Sequence, residues 1–325
     1  MPSHAERMID HLLALDPGGR GIAGFFVEGG AERAARALLR GRRVLITTGF
    51  AVGPGLPETD GPPGAASLGR ALRLLGKEVT YVTDPVTVPP LEAALRSLGE
   101  PAAIVTFHAT DATAPAVARR LLAEHAPTHL VAIERPGRTR TGDYLSARGE
   151  SIRAWNAPLD ALFIAAPRRL VTIGVGDGGN EIGMGNVLGR IARGGAKARR
   201  MASVVTVSHL VVAGTSNWGA YGVVAALSYL DGRDLLHSAA EERRMVAACA
   251  RAGAVDGITR LHEPTVDGLP LEAHVGMLEL LRVAARSRRS ARSPGRATVA
   301  KTQRAVSPAR PATAAQSVTT GGRSR

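Results

Sequence analysis

The sequence predicts an α/β fold, a mainly parallel sheet with helices on both faces, on three observations. Short apolar runs alternate with amphipathic stretches at the spacing of βα units. Polar residues gather in the segments that follow those runs, which is the carboxyl edge of a parallel sheet and the place where such sheets bind ligands. One such segment, within residues 173–187, carries six glycines. A Rossmann-like plan accounts for all three.

Residues 1–39 read as flanking helices or loops ahead of the sheet. Residues 43–48 are a first strand, because a short run of branched apolar side chains suits a strand buried on both faces. Residues 64–75 follow with apolar positions at helical spacing. Runs at 79–83 and 102–107 give the second and third strands, each followed by a helix, over 90–98 and 114–125. Residues 129–133 and 170–175 give the fourth and fifth strands, and 203–212 holds a sixth. Helices are expected over 181–191, 218–229 and 239–252, then a last helix or loop over 265–283. The glycine-rich stretch does not suit an element interior, since Gly costs about 1 kcal/mol against Ala in a helix. It reads as a strand-to-helix turn, with Asp177 or Asn180 capping a helix that begins near Glu181.

With 325 residues and 45% apolar content the chain can bury a full core, and at 3% aromatics that core is aliphatic. The single cysteine, Cys249, excludes an intrachain disulfide and fits a reducing compartment. No apolar run reaches the ~18 residues of a membrane span, and residues 1–16 carry no signal pattern, so a cytoplasmic location is expected. The formal net charge of +13 misleads, because residues 286–325 hold ten Arg or Lys and no Asp or Glu. The chain is therefore expected to divide into an α/β domain over 1–285 and a disordered basic tail over 286–325. The tail offers no aromatic for base stacking, so a nucleic-acid partner is not expected. Nothing in the composition fixes the oligomeric state.

Long motifs stand in the polar segments. They are Glu58-Thr59-Asp60-Gly61-Pro62-Pro63-Gly64-Ala65, Ile133-Glu134-Arg135-Pro136-Gly137, the glycine-rich turn with Asp177, Asn180 and Glu181, and Ser216-Asn217-Trp218-Gly219. With Val255-Asp256-Gly257 and the run from Pro264 to Pro270, they resemble the D-glutamate cyclase family, in particular the C-terminal domain of its mitochondrial form, which also occurs as a standalone bacterial protein. The likeness runs from about Gly21 to Arg282, and it departs from the family pattern around 138–149. It implies conversion of D-glutamate to 5-oxo-D-proline and water, a carbon–oxygen lyase reaction.

That chemistry needs a base for the amine, an acid for the leaving oxygen and clamps for two carboxylates. Asp177, Glu181 and Asp60 are the expected acid–base residues. Arg135 and Arg148 are the expected carboxylate clamps, Glu58 with Asp60 receives the ammonium, and Asn180, Ser216 and Asn217 bond the second carboxylate. The amides of Gly178 and Gly179, at the start of a helix near Glu181, are expected to face an oxyanion. Asp60, Asp177, Asn180 and Glu181 also offer the oxygens that Mg²⁺ or Mn²⁺ prefers, although no spacing is diagnostic of a metal. Two other readings stay open at this point: a Mg-dependent phosphate- or nucleotide-handling enzyme, and a non-catalytic small-molecule-binding protein.

Overall fold

The computed structural model describes residues 3–291. Helices α1 (His4–Leu13) and α2 (Gly30–Arg40) precede β1 (Arg43–Thr48), and a short antiparallel ribbon, β2 (Ala51–Gly53) with β3 (Leu56–Pro57), leads into α3 (Pro62–Leu74). Then come β4 (Glu78–Thr83), α4 (Val88–Ser97), β5 (Ile104–Thr106), α5 (Ala114–His125), β6 (His129–Ile133), α6 (Asp160–Ile164) and β7 (Val171–Gly176). Next are α7 (Leu188–Ile191), α8 (Ala196–Met201), β8 (His209–Val212), α9 (Ser216–Asp231), α10 (Ala239–Arg251) and α11 (Leu271–Ala291).

Six strands form one sheet in the order β5-β4-β1-β6-β7-β8, every neighbour pair parallel. Side chains alternate across it, as the two-residue strand period requires. Val44 and Ile46 of β1 belong to the core shared with α1, α2, α3, α4, α9, α10 and α11, whereas Leu45 belongs to the core shared with α5 and α6 on the opposite face. Strand order reverses between β1 and β6, so their carboxyl ends frame the crevice where an open sheet of this kind takes its ligand. The predicted α/β class and two-faced layering are what the chain adopts.

Two local expectations are corrected and a third is narrowed. Residues 181–191 are not one helix, because Gly183 takes a positive φ of 106° and only a 3-10 turn, Met184–Val187, and the short α7 follow. The sixth strand lies within the expected 203–212 and is narrowed to His209–Val212. Finally, α11 runs to Ala291, past the boundary expected at 285, and Arg286 pairs with Asp234 at 2.8 Å. The rest of the expected tail lies outside the described residues. Among the described residues no helix is long and apolar enough to cross a membrane.

Candidate active site

The ends of two sheet strands, the segment before α3 and the loop before α11 deliver carboxyl groups to one buried cluster. Glu58 and Asp60 come from the segment between β3 and α3, Glu134 from the end of β6, and Asp177 from the end of β7. Asp267 arrives from the loop before α11. All five are buried. Carboxyl oxygens of Asp60, Glu134 and Asp177 lie within 4.8 Å of one another.

The first turn of α9 organises the cluster. The Ser216 N–H donates to Asp60 at 2.9 Å and to Asp177 at 3.1 Å, and the Asn217 N–H donates to Asp60 at 2.8 Å. The Ser216 hydroxyl donates to Glu134 at 2.5 Å. These are otherwise orphan amides of a helix N-terminus, satisfied by carboxylates where the helix dipole favours negative charge. Thr215 is the residue that caps the helix, accepting from the Trp218 N–H. The Asn217 side chain is spent elsewhere: its Oδ1 accepts the Gly61 and Gly64 N–H groups, and its Nδ2 donates to the Thr59 carbonyl. Asn217 thereby fixes the loop that carries Asp60. A Cβ at Gly64 would stand 3.0 Å from Asn217 Oδ1, so this close approach is what the glycine provides.

One cation faces the acids. Arg20 sits on a loop pinned by Asp16, whose carboxylate accepts the N–H groups of Arg20, Gly21 and Ile22. The guanidinium bonds Asp177 at 2.9 Å and also Asp267. Desolvation pushes the carboxyls of Glu58, Glu134 and Asp177 well above the usual range, with neighbouring carboxylates adding to the shift in each. Asp60 is raised to about 7 by burial and by Asp267, against the amides of Asn217 and Ser216. Burial also raises Asp267, whose Oδ2 has no hydrogen-bond donor.

A cavity of about 120 Å³ opens onto this cluster, lined by Arg20, Glu58, Glu134, Asn180, Glu181 and Asp267, with Arg148 and Arg260 also in its wall. It is far smaller than the ~300–1,000 Å³ of pockets that hold drug-sized ligands. Larger hollows exist, one of about 1140 Å³ beside α1 and α2, but they hold none of the clustered acids. Backbone strain concentrates here. Among the described residues four non-glycine positions have positive φ, and three of them, Glu134 (43°), Arg260 (61°) and Asp267 (56°), line this one cavity. Such conformations cost ~1–3 kcal/mol each and gather at functional sites.

The structure reassigns several expected residues. Arg135 is fully buried and engaged within the protein, with Nη1 donating to the Gly49 carbonyl and Nη2 to the Ala157 carbonyl and, at 2.7 Å, to Asp84. It braces the ends of β1, β4 and β6 and does not line the cavity. Glu181 does not begin a helix. Its carboxylate turns back to accept the N–H groups of Asp177, Gly178 and Gly179 at 3.2, 2.6 and 2.8 Å. The Gly178 and Gly179 amides are therefore occupied and face no oxyanion, and Glu181 holds the turn that aims Asp177. Asn180 lines the cavity while its Nδ2 donates to the Leu145 carbonyl. Arg148 lies exposed at the cavity mouth.

Sequence reasoning missed Arg20, Glu134, Asp267 and Arg260. Arg20 stands in Gly18-Gly19-Arg20-Gly21, a turn-forming run whose signal was present, and Glu134 opens a polar segment directly after a strand. Asp267-Gly268 is likewise a turn pair.

The family described as D-glutamate cyclase-like, C-terminal, matches residues 9–282. The chain belongs to this family. It is 31% identical to the human protein named D-glutamate cyclase, mitochondrial, over 86% of this chain and 52% of that protein, so it spans about half the length of this curated relative. Solved structures are similar more loosely. An exopolyphosphatase-related protein from Bacteroides fragilis superposes with a TM-score of 0.39 and 8% identity over 82% of this chain and 59% of that one. RecJ in complex with Mn²⁺ from Thermus thermophilus gives a TM-score of 0.35 and 14% identity over 78% and 33%. Likeness at this level bears on neither fold nor function here.

Proposed function

We propose that this protein cyclises D-glutamate to 5-oxo-D-proline with release of water. The observation that carries the reading is the cluster itself: five buried carboxyls of raised proton affinity beside the Arg20 guanidinium, three of which, Glu58, Glu134 and Asp267, line a cavity of about 120 Å³. The family relationship supplies the substrate. A zwitterionic dicarboxylic amino acid brings one ammonium for the acids and a carboxylate for Arg20. The small volume and the acid lining disfavour a nucleotide or polyphosphate.

The division of labour follows the proton affinities. Asp60, ionising near neutrality, takes a proton from the substrate ammonium held by Glu58 and Glu134. Arg20 holds the side-chain carboxylate. Two of its five N–H donors are used by Asp177 and Asp267, which leaves others for a ligand. The amine nitrogen bonds to the side-chain carboxyl carbon and one C–O bond breaks. Asp177, whose proton affinity burial raises, is placed to give a proton to the departing oxygen. The nitrogen loses two protons overall and the oxygen gains two, so the reaction balances without any redox partner. Confinement in the folded geometry converts a rare internal encounter into a near-attack one.

A divalent cation fits the same acids. Asp60, Glu134 and Asp177 would hold Mg²⁺ or Mn²⁺, with the donorless Oδ2 of Asp267 beside them. Such an ion would supply Lewis acidity toward the carboxyl oxygen. The deciding assay incubates the purified chain with D- or L-glutamate, with Mn²⁺ or with chelator, and resolves 5-oxoproline enantiomers by chiral chromatography. Product from D-glutamate supports the reading; no product under any metal condition overturns it.

A further inference from the structure

Resting on that reading, we propose that Arg148 and Arg260 form a second carboxylate site at the cavity mouth, which reads the substrate's α-carboxylate and makes the enzyme selective for dicarboxylic amino acids. A dicarboxylate entering an acid-lined cavity needs a cation for each end, and Arg20 serves only one. Arg135, the expected second clamp, spends both terminal nitrogens inside the protein and does not line the cavity. The remaining guanidinium groups in the cavity wall are Arg148 and Arg260.

Both stand on loops built to hold them. Around Arg148, the Ser146 hydroxyl oxygen accepts the N–H groups of Arg148 and Glu150, and the Ser146 N–H donates to the Glu150 carbonyl. Around Arg260, the Asp256 carboxylate accepts N–H groups from Ile258, Thr259 and Gly268, while the Arg260 N–H donates to the Asp256 carbonyl. Arg260 keeps a left-handed backbone, φ 61°, which a β-carbon makes costly and which only its surroundings sustain. The two loops touch across the opening: Arg148 Nη2 donates to the Ile258 carbonyl at 3.4 Å, and Arg260 Nη2 lies 3.8 Å from Glu150. Both contacts are long, and the Glu150 side chain is 60% exposed, so a substrate carboxylate can replace them. Depth sorts the arginines into two levels, with the Arg20 side chain 17% exposed and that of Arg260 37%.

The test compares D-glutamate with D-isoglutamine, whose α-carboxylate is an amide while the amine and the reacting carboxylate are kept. Each is titrated calorimetrically and turned over, with the parent and with the double variant Arg148→Gln/Arg260→Gln. Losing a charge-assisted contact should raise KM and Kd for D-glutamate ~10–100-fold, with a much smaller change in kcat. Values for D-isoglutamine should move about twofold or less, so that the parent's preference collapses. The Lys/Lys variant should recover part of it. A double variant that keeps the parent's preference overturns the proposal. A parent that binds D-glutamate through these arginines yet forms no 5-oxoproline would leave the mouth site standing and remove the cyclase reading. A parent that binds neither compound removes both.

Discussion

The Arg20 guanidinium lies 2.9 Å from the Asp177 carboxylate and ties the N-terminal loop to the end of β7. Asp177 is otherwise positioned from two sides, by the Ser216 amide on one of its oxygens and by Glu181 holding its own backbone N–H. Its geometry thus does not depend on its charge alone. Asp177→Asn keeps size and most hydrogen bonds but cannot deliver the proton. We expect kcat for 5-oxoproline formation to fall ~10²-fold or more, with the melting temperature held within a few degrees. Turnover like the parent's would remove Asp177 from the chemistry.

Arg135 separates a structural from a ligand-binding role. Arg135→Met removes a buried cation and leaves Asp84 without its ion pair, a loss that typically costs ~3–5 kcal/mol. Urea unfolding should show that loss, and the folded fraction should keep a KM for D-glutamate close to the parent's. A raised KM in a fully stable variant would return Arg135 to the site.

Proton linkage gives a signed pH dependence. Asp60 ionises at about 7 in the folded chain against 3.8 ordinarily, so between about pH 4 and 7 the folded state binds a proton that the unfolded state releases. The stability this group contributes is fully present below about pH 4 and is lost as pH rises to about 7. Glu58, Glu134 and Asp177 shift in the same direction. The melting temperature of the metal-free protein should therefore fall across that window, and fall less in Asp60→Asn. Activity should do the opposite and rise through about pH 7, as Asp60 becomes a base.

The sheet was legible because branched apolar runs recur at βα spacing, and that spacing already placed Asp60, Asp177 and their loops at its carboxyl edge. What escaped it depends on where side chains turn after the backbone is placed. Glu181 looks like a first-turn helical acid, yet the glycines before it free three amides that its carboxylate reaches more easily than solvent. Arg135 looks like a clamp because it follows a strand, but its neighbour Glu134 takes the left-handed backbone and carries the carboxyl into the cluster. Arg20 and Asp267 reach the cluster from loops far apart in sequence, 247 residues from one another, and no local pattern encodes their meeting.

Metal binding should reverse the linkage just described. Carboxyls that share protons in the metal-free protein must ionise to ligate a cation, so binding releases protons and strengthens as pH rises. Mn²⁺ titrated into chelator-treated protein should raise the melting temperature more at pH 8 than at pH 6. A ligand at 100 times its Kd stabilises by ~2.7 kcal/mol, well within reach of a thermal scan. Glu134→Gln removes one ligand of the trio without touching Arg20 and should reduce the shift at both values. Arg20→Gln removes the cation that competes with a metal ion for Asp177, so it should enlarge the Mn²⁺ shift while impairing turnover. Equal shifts in parent and Glu134→Gln would place any bound Mn²⁺ elsewhere, and the acids would then act through protons alone.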